Sequence, residues 1–97
     1  MRVELATVEL QDPGRNLPLK AQYSALEVTE GGEWRVLLDG LKIDTLTILQ
    51  DMFTSASVAQ VSVTTIEGDR TSGLAKVTSL KVGGNSAAVL QGLAPLP

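Results

Sequence analysis

The chain predicts a mainly β domain, an antiparallel β-sandwich or barrel with one short α-helix at about residues 45–53. Three observations carry that expectation. From Val58 to Leu93 the apolar or β-branched runs VAQVSVTTI, TSGLAKVTSLKV and SAAVLQGL are separated by the turn residues EGDR and GGN, the pattern of an antiparallel meander. Only near residues 45–53 does the apolar spacing change to three and four, which is the helical period. Aromatics amount to Tyr23, Trp34 and Phe53, so Leu, Val, Ile and Ala must build the core.

In order, Arg2 to Gln11 reads as a strand with Val3, Leu5, Thr7 and Glu9 on one face and Glu4, Ala6, Val8 and Leu10 on the other. Neither parity is purely polar, so this strand is buried on both faces or covered by a neighbour outside the chain. Asp12-Pro13-Gly14 is a turn, because Pro presets φ at one central position and Gly accepts positive φ at the next. Arg15 to Lys20, with a second proline at position 18, reads as a loop. Ala21 to Glu30 alternates and ends at Gly31-Gly32, a hairpin tip leading into a strand over Glu33 to Leu38. Asp39-Gly40 reads as another tight turn, followed by the short run Leu41 to Ile43.

Asp44 is the expected N-cap of the helix. Leu46, Leu49, Met52 and Phe53 recur on its apolar side, and Thr45 and Thr47 lower its intrinsic propensity. The helix should therefore depend on packing Leu49 and Phe53 onto a sheet. In the meander that follows, Val61 shares a parity with Val63, Ala75 with Val77, and Ala87 with Val89. The tail Ala94-Pro95-Leu96-Pro97 cannot continue a central strand and should lie on the surface.

Ninety-seven residues make one domain, spanning 1–97, with a single modest core. The net charge is -3 and no two basic residues are adjacent, which argues against binding duplexes by phosphate neutralisation. Three aromatics offer no stacking platform for single strands. The chain has neither Cys nor His. That removes disulfides, thiolate metal sites, the commonest general base and the commonest transition-metal ligand. MRVELATVEL lacks the apolar run of a signal peptide, and no stretch approaches the ~20 apolar residues of a membrane span. The expectation is a protein made and used in the cytoplasm, without cofactors and without a membrane role.

Candidate chemistry is sparse. Asp39, Asp44 and Asp51 could bind Ca²⁺ or act as an acid–base pair, but their spacing matches no EF-hand loop. Gly31-Gly32 and Gly83-Gly84 belong to no phosphate-binding pattern. No SxxK motif supplies a serine hydrolase without His. Glu67-Gly68-Asp69-Arg70 reads as a hairpin connection that could also meet a partner. Trp34 beside Arg35 could be a surface contact pair, both types being enriched in binding hot spots, or Trp34 could anchor the core. The candidate interface residues are thus Trp34, Arg35, Glu67, Asp69 and Arg70. Strands that look apolar on both faces point the same way, since self-association would cover what one small domain cannot.

Residues 68–96 contain Gly68, Gly73, Ala75, Val77, Thr78, Ser79 and Leu80, then Gly83, Gly84, Leu90, Gly92 and Leu96. This segment resembles the closing part of small tailed-bacteriophage virion proteins, especially tail-tube and tail-assembly proteins. There a "GxxxxGxAxVTSL" strand precedes a glycine-containing loop and a last strand ending in an "LxGxGxL"-like phrase. Ala94 stands where the second glycine of that phrase would be, and the chain is shorter than a typical tube subunit. A head–tail joining, tail-completion or capsid-decoration protein therefore remains an option. The resemblance implies a non-enzymatic structural protein of a phage or phage-like particle. It would form a ring or tube with copies of itself and meet other virion proteins, in a virion assembled in the host cytoplasm. In a tube, Glu67 and Asp69 could face the lumen and repel DNA. The alternative is a monomeric cytoplasmic β-barrel that binds a protein or peptide, for example by strand addition at an edge.

Overall fold

Seven antiparallel strands and one helix follow one another along the chain. They are β1 (Arg2–Asp12), β2 (Arg15–Leu19), β3 (Ala21–Val28), β4 (Trp34–Leu41), α1 (Ile43–Ser55), β5 (Val58–Thr65), β6 (Arg70–Lys81) and β7 (Ala87–Gly92). The computed structural model describes residues 1–12 and 15–96. Pro13-Gly14 of the expected first turn, and Pro97 of the tail, lie outside the described residues. The sheet runs β2-β1-β3-β4-β7-β6-β5, and a further β1–β5 pairing joins its ends. Six strands therefore close into an antiparallel barrel, as the sandwich-or-barrel expectation allows, with β2 extending one side. The meander β5-β6-β7 is formed as the turn signals indicate, with Val61↔Gly73 and Val77↔Leu90 among its partners.

Closure works because two bulges rotate the apolar parity inward. The β1–β5 register shifts between Leu5 and Thr7. Leu5 points inward before the bulge, and Val8 and Leu10 do so after it. The mixed parities of β1 thus do not describe a strand buried on both faces. They describe one inward face whose numbering slips by a residue at the bulge. β6 repeats the device: Ala75 and Val77 are buried, the β6–β7 register shifts between Val77 and Ser79, and Leu80 takes over as the core-facing residue.

Arg15–Leu19, expected as a loop, is a strand paired with β1 from Val8↔Leu19 to Asp12↔Arg15. Pro18 is tolerated because β2 is the end strand of the sheet. Asp39 and Gly40, expected as a turn, lie inside β4. Gly40 adopts φ +68 there, and the Ser86 carbonyl accepts both the Gly40 and Leu41 N–H groups, at 2.9 and 3.1 Å. The Gly31-Gly32 tip is formed as expected, with the Gly32 N–H donating to the Thr29 carbonyl at 3.0 Å.

The helix α1 is longer than the expected 45–53, and Asp44 is not its N-cap. Lys42 holds that position without a side-chain hydrogen bond, and Asp44 sits in the first turn, where a carboxylate still suits the helix dipole. The start is anchored from outside instead. The Lys42 N–H donates to the Lys20 carbonyl at 3.0 Å, and the Lys20 N–H donates to Thr45 Oγ1 at 2.7 Å. The buried side is Thr45, Leu49 and Met52, whereas Phe53, expected against the sheet, is 47% exposed. Burying Leu49 contributes about 1.5–3 kcal/mol, against at most about 0.7 kcal/mol lost per threonine in propensity, so packing decides the helix. At its end Ala56 takes the left-handed conformation, φ 53, and the Ser57 N–H donates to the Met52 carbonyl at 3.0 Å.

The opposite end of the barrel is filled by Trp34, 2% exposed. Its indole lies against the backbone of Gly73 and Gly92, where a Cβ would collide with the ring, and its Nε1–H donates to the Ala94 carbonyl at 2.6 Å. The tail does more than lie on the surface, because Leu96 packs on the core and seals this end.

Candidate functional site

With the registers known, the outward side chains of β3, β4, β7 and β6, joined by the start of β1, form one wall of three rows. Cross-strand neighbours make a charged row Arg2, Glu27, Arg35, Gln91 and Lys76. Two residues along β1, β3, β4 and β7, and three along the bulged β6, lies a mainly apolar row, Glu4, Ala25, Leu37, Val89 and Ser79. A third row holds Tyr23, Asp39, Ala87 and Lys81. A shallow hollow of about 400 Å³ sits on this wall, with Arg2, Tyr23, Leu37, Lys81, Ala87 and Val89 in its lining.

Glu27 organises the charged row. Its Oε2 accepts from Arg2 Nη2 at 2.9 Å, and its Oε1 accepts from Arg35 Nε at 2.7 Å and also from Arg35 Nη2. The hydrogen bond from Arg2, then that from Arg35, holds the Glu27 carboxyl below its ordinary value, and the same contact raises Arg2. Two guanidinium groups converge on one carboxylate, so the cluster carries net positive charge. The three rows contain Arg2, Arg35, Lys76 and Lys81 among eight basic residues and Glu4, Glu27 and Asp39 among eleven acidic ones. Four basic residues face eight acidic ones over the rest of the chain.

The sequence-derived candidates do not gather in one place. Arg35 stands on the wall. Trp34, adjacent in sequence, points into the barrel, so the core reading holds and its side chain is no surface contact. Glu67 and Asp69 belong to the β5–β6 turn, shaped by Gly68 at φ +101. The turn is closed by hydrogen bonds from the Thr65 N–H to the Asp69 carbonyl, 2.8 Å, and from the Asp69 N–H to Thr65 Oγ1, 3.1 Å. Arg70 leaves this turn and reaches Glu9 on β1 at 3.6 Å, an exposed pair of small energetic weight. Sequence reasoning missed Arg2, Glu27, Tyr23, Leu37, Val89 and Lys81. Strict alternation in Tyr23-Ala25-Glu27 and Arg35-Leu37-Asp39 was the available signal, but it identifies a wall only once the pairing is known.

Of the three aspartates first considered for chemistry, Asp39 is on the wall while Asp44 and Asp51 lie on α1. Among the described residues no group of three or more His, Cys, Asp or Glu could hold a metal ion, and no helix is long and apolar enough to cross a membrane. A second concavity, about 430 Å³, opens between α1 and the β1–β2 end of the barrel. Leu10, Leu17, Ile48, Met52, Val58 and Ala59 contribute its apolar lining, beside the outer margin of β2.

No protein-family model and no curated protein matches the chain. Among solved structures, a hypothetical protein from Staphylococcus aureus has the same fold, with a TM-score of 0.82. The two are 11% identical, and the match covers 99% of this chain and 69% of that one. This likeness establishes the barrel-plus-helix architecture.

Proposed function

We propose that this chain is a structural, non-enzymatic protein of a phage or phage-like particle, a tail-tube or head–tail completion component that acts by assembling with copies of itself. The observation that carries the reading is apolar surface left outside a barrel that is already closed. Leu37 and Val89 lie on the outer wall, and Ile43, Val58, Ile66, Leu74, Val82 and Leu93 are exposed elsewhere. Isolated apolar side chains are ordinary on a surface; a row bordered by charge is the composition of a contact with an apolar centre and a polar rim. The likeness of residues 68–96 to virion proteins supplies the kind of particle. The lack of His and Cys supports a role without catalysis. Sedimentation velocity from micromolar to millimolar protein, with negative-stain microscopy of the heaviest species, tests the reading. Rings or short tubes are expected, and a monomer throughout that range refutes it.

A second reading, a monomeric module that binds a peptide, is favoured by one observation: the outer margin of β2 lies beside the apolar concavity under α1. Pro18 removes a donor from that five-residue margin, which blunts strand addition. Peptide-induced amide shifts confined to Asn16–Leu19 and Ile48–Met52 would favour this reading over assembly.

A further inference from the structure

We propose that the wall of β3, β4, β7 and β6 receives the β5–β6 turn of a second copy of this chain. The inference rests on the assembly reading above and names the contact through which it works. The turn presents Ile66, 61% exposed, followed at once by Glu67 and then by Asp69, both exposed. It is an apolar tip flanked by carboxylates on a stiff hairpin, three of whose four residues take part in hydrogen bonds with Thr65 or Glu4. The wall is its complement. Leu37, Ala87 and Val89 are in its hollow together with Asp39, and Arg2, Arg35, Lys76 and Lys81 stand around them, four cations against the three carboxylates Glu4, Glu27 and Asp39 of the same wall.

Charge selects this occupant over other parts of the same molecule. The turn at Glu30–Glu33 and the helix with Asp44 and Asp51 are acidic too, but neither joins an exposed β-branched tip to two carboxylates within four residues. Pairing of the wall with itself would set four cations against four more, with only three carboxylates on each side, a poorer charge match than the acidic turn offers. Hollow and turn are built from different residues, so each copy can donate one and accept one, and contacts can propagate from copy to copy. Glu67 and Asp69 then serve in a contact between neighbours and do not line a lumen.

Two charge-reversed chains test this: Lys76→Glu/Lys81→Glu on the wall and Glu67→Lys/Asp69→Lys on the turn. All four side chains are exposed, and circular dichroism with Trp34 fluorescence verifies each fold. Each reversed chain alone should associate at least ~10-fold more weakly than the parent at low salt. An equimolar mixture should reassemble, because every wall then meets a turn of opposite sign. Should the parent remain monomeric at all concentrations, the assembly reading itself falls. Should the parent assemble and both reversed chains match it, assembly stands and this contact is wrong. Should each reversed chain be monomeric and the mixture stay monomeric, the pairing of wall with turn is overturned.

Discussion

Replacing Gly92 by Ala probes the packing that seals one end of the barrel. A methyl at Gly92 would overlap the indole atoms Cε2 and Nε1 of Trp34, and one at Gly73 would stand 2.8 Å from Cζ2. These neighbours are a buried ring, not the free end of a flexible side chain, and the ring is also tied to the Ala94 carbonyl at 2.6 Å. Relief requires shifting the indole, with the strain of an overpacked core, about 1–3 kcal/mol. With a urea slope of roughly 1.5 kcal/mol per molar, a cost of about 2 kcal/mol lowers the unfolding midpoint by roughly 1.3 M. Trp34 is the only tryptophan, so its fluorescence follows unfolding and reports the site itself. Trp34→Phe removes the fused ring that meets Gly92, so the double variant, followed like the other three chains by circular dichroism, should be less destabilised than the two single variants added, by at least about 1 kcal/mol. A midpoint for Gly92→Ala within roughly 0.3 M of the parent, or strict additivity in the cycle, refutes the argument.

Other consequences can be checked with the same melts. Ala56 occupies the left-handed region at φ 53, so Ala56→Gly should raise stability by about 0.5–1 kcal/mol; an unchanged or lower midpoint would contradict the cap assignment. Thr45→Val keeps the shape but leaves the Lys20 N–H without its acceptor. It should cost about 1–3 kcal/mol, and a neutral outcome in thermal unfolding would deny the anchor. The Glu27 carboxyl titrates lower in the folded chain than its ordinary value of 4.5. Its contribution is therefore complete above that value and is lost as pH falls through the depressed folded one. Glu27→Gln should flatten the acid limb of a stability–pH curve below about pH 4.5, and a limb identical to the parent's would show that this cluster is not linked to folding.

Local signals foretold part of this architecture. EGDR, GGN and Gly31-Gly32 marked turns, and Leu49 and Met52 marked the inner side of the helix, because turn chemistry and helical period act over a few residues. What escaped depends on distant pairing. The bulges at Leu5/Thr7 and Val77/Ser79 made single inward faces look two-sided, since parity cannot be read across a slip. Pro18 argued for a loop, although an end strand accommodates it. Asp39-Gly40 has turn chemistry, yet Tyr23 and Ser86 hold it within a strand. Phe53 fits the helical spacing but falls at the edge of an arc that Thr45 occupies, drawn inward by the Lys20 amide. The wall was illegible for the same reason, as Arg2, Glu27 and Arg35 become neighbours only through two registers.

The seam between β1 and β5 has a temporal meaning. β1 meets β2 and β3 almost as soon as they exist, but its other margin waits for Gln60 to Thr65, some fifty residues further on. Closing so long an intervening segment is entropically slow, so a nascent chain spends its synthesis with that margin naked. Sticky intermediates should cluster in this interval, and a stopped-flow trace should show the last-forming protection along Leu5–Gln11.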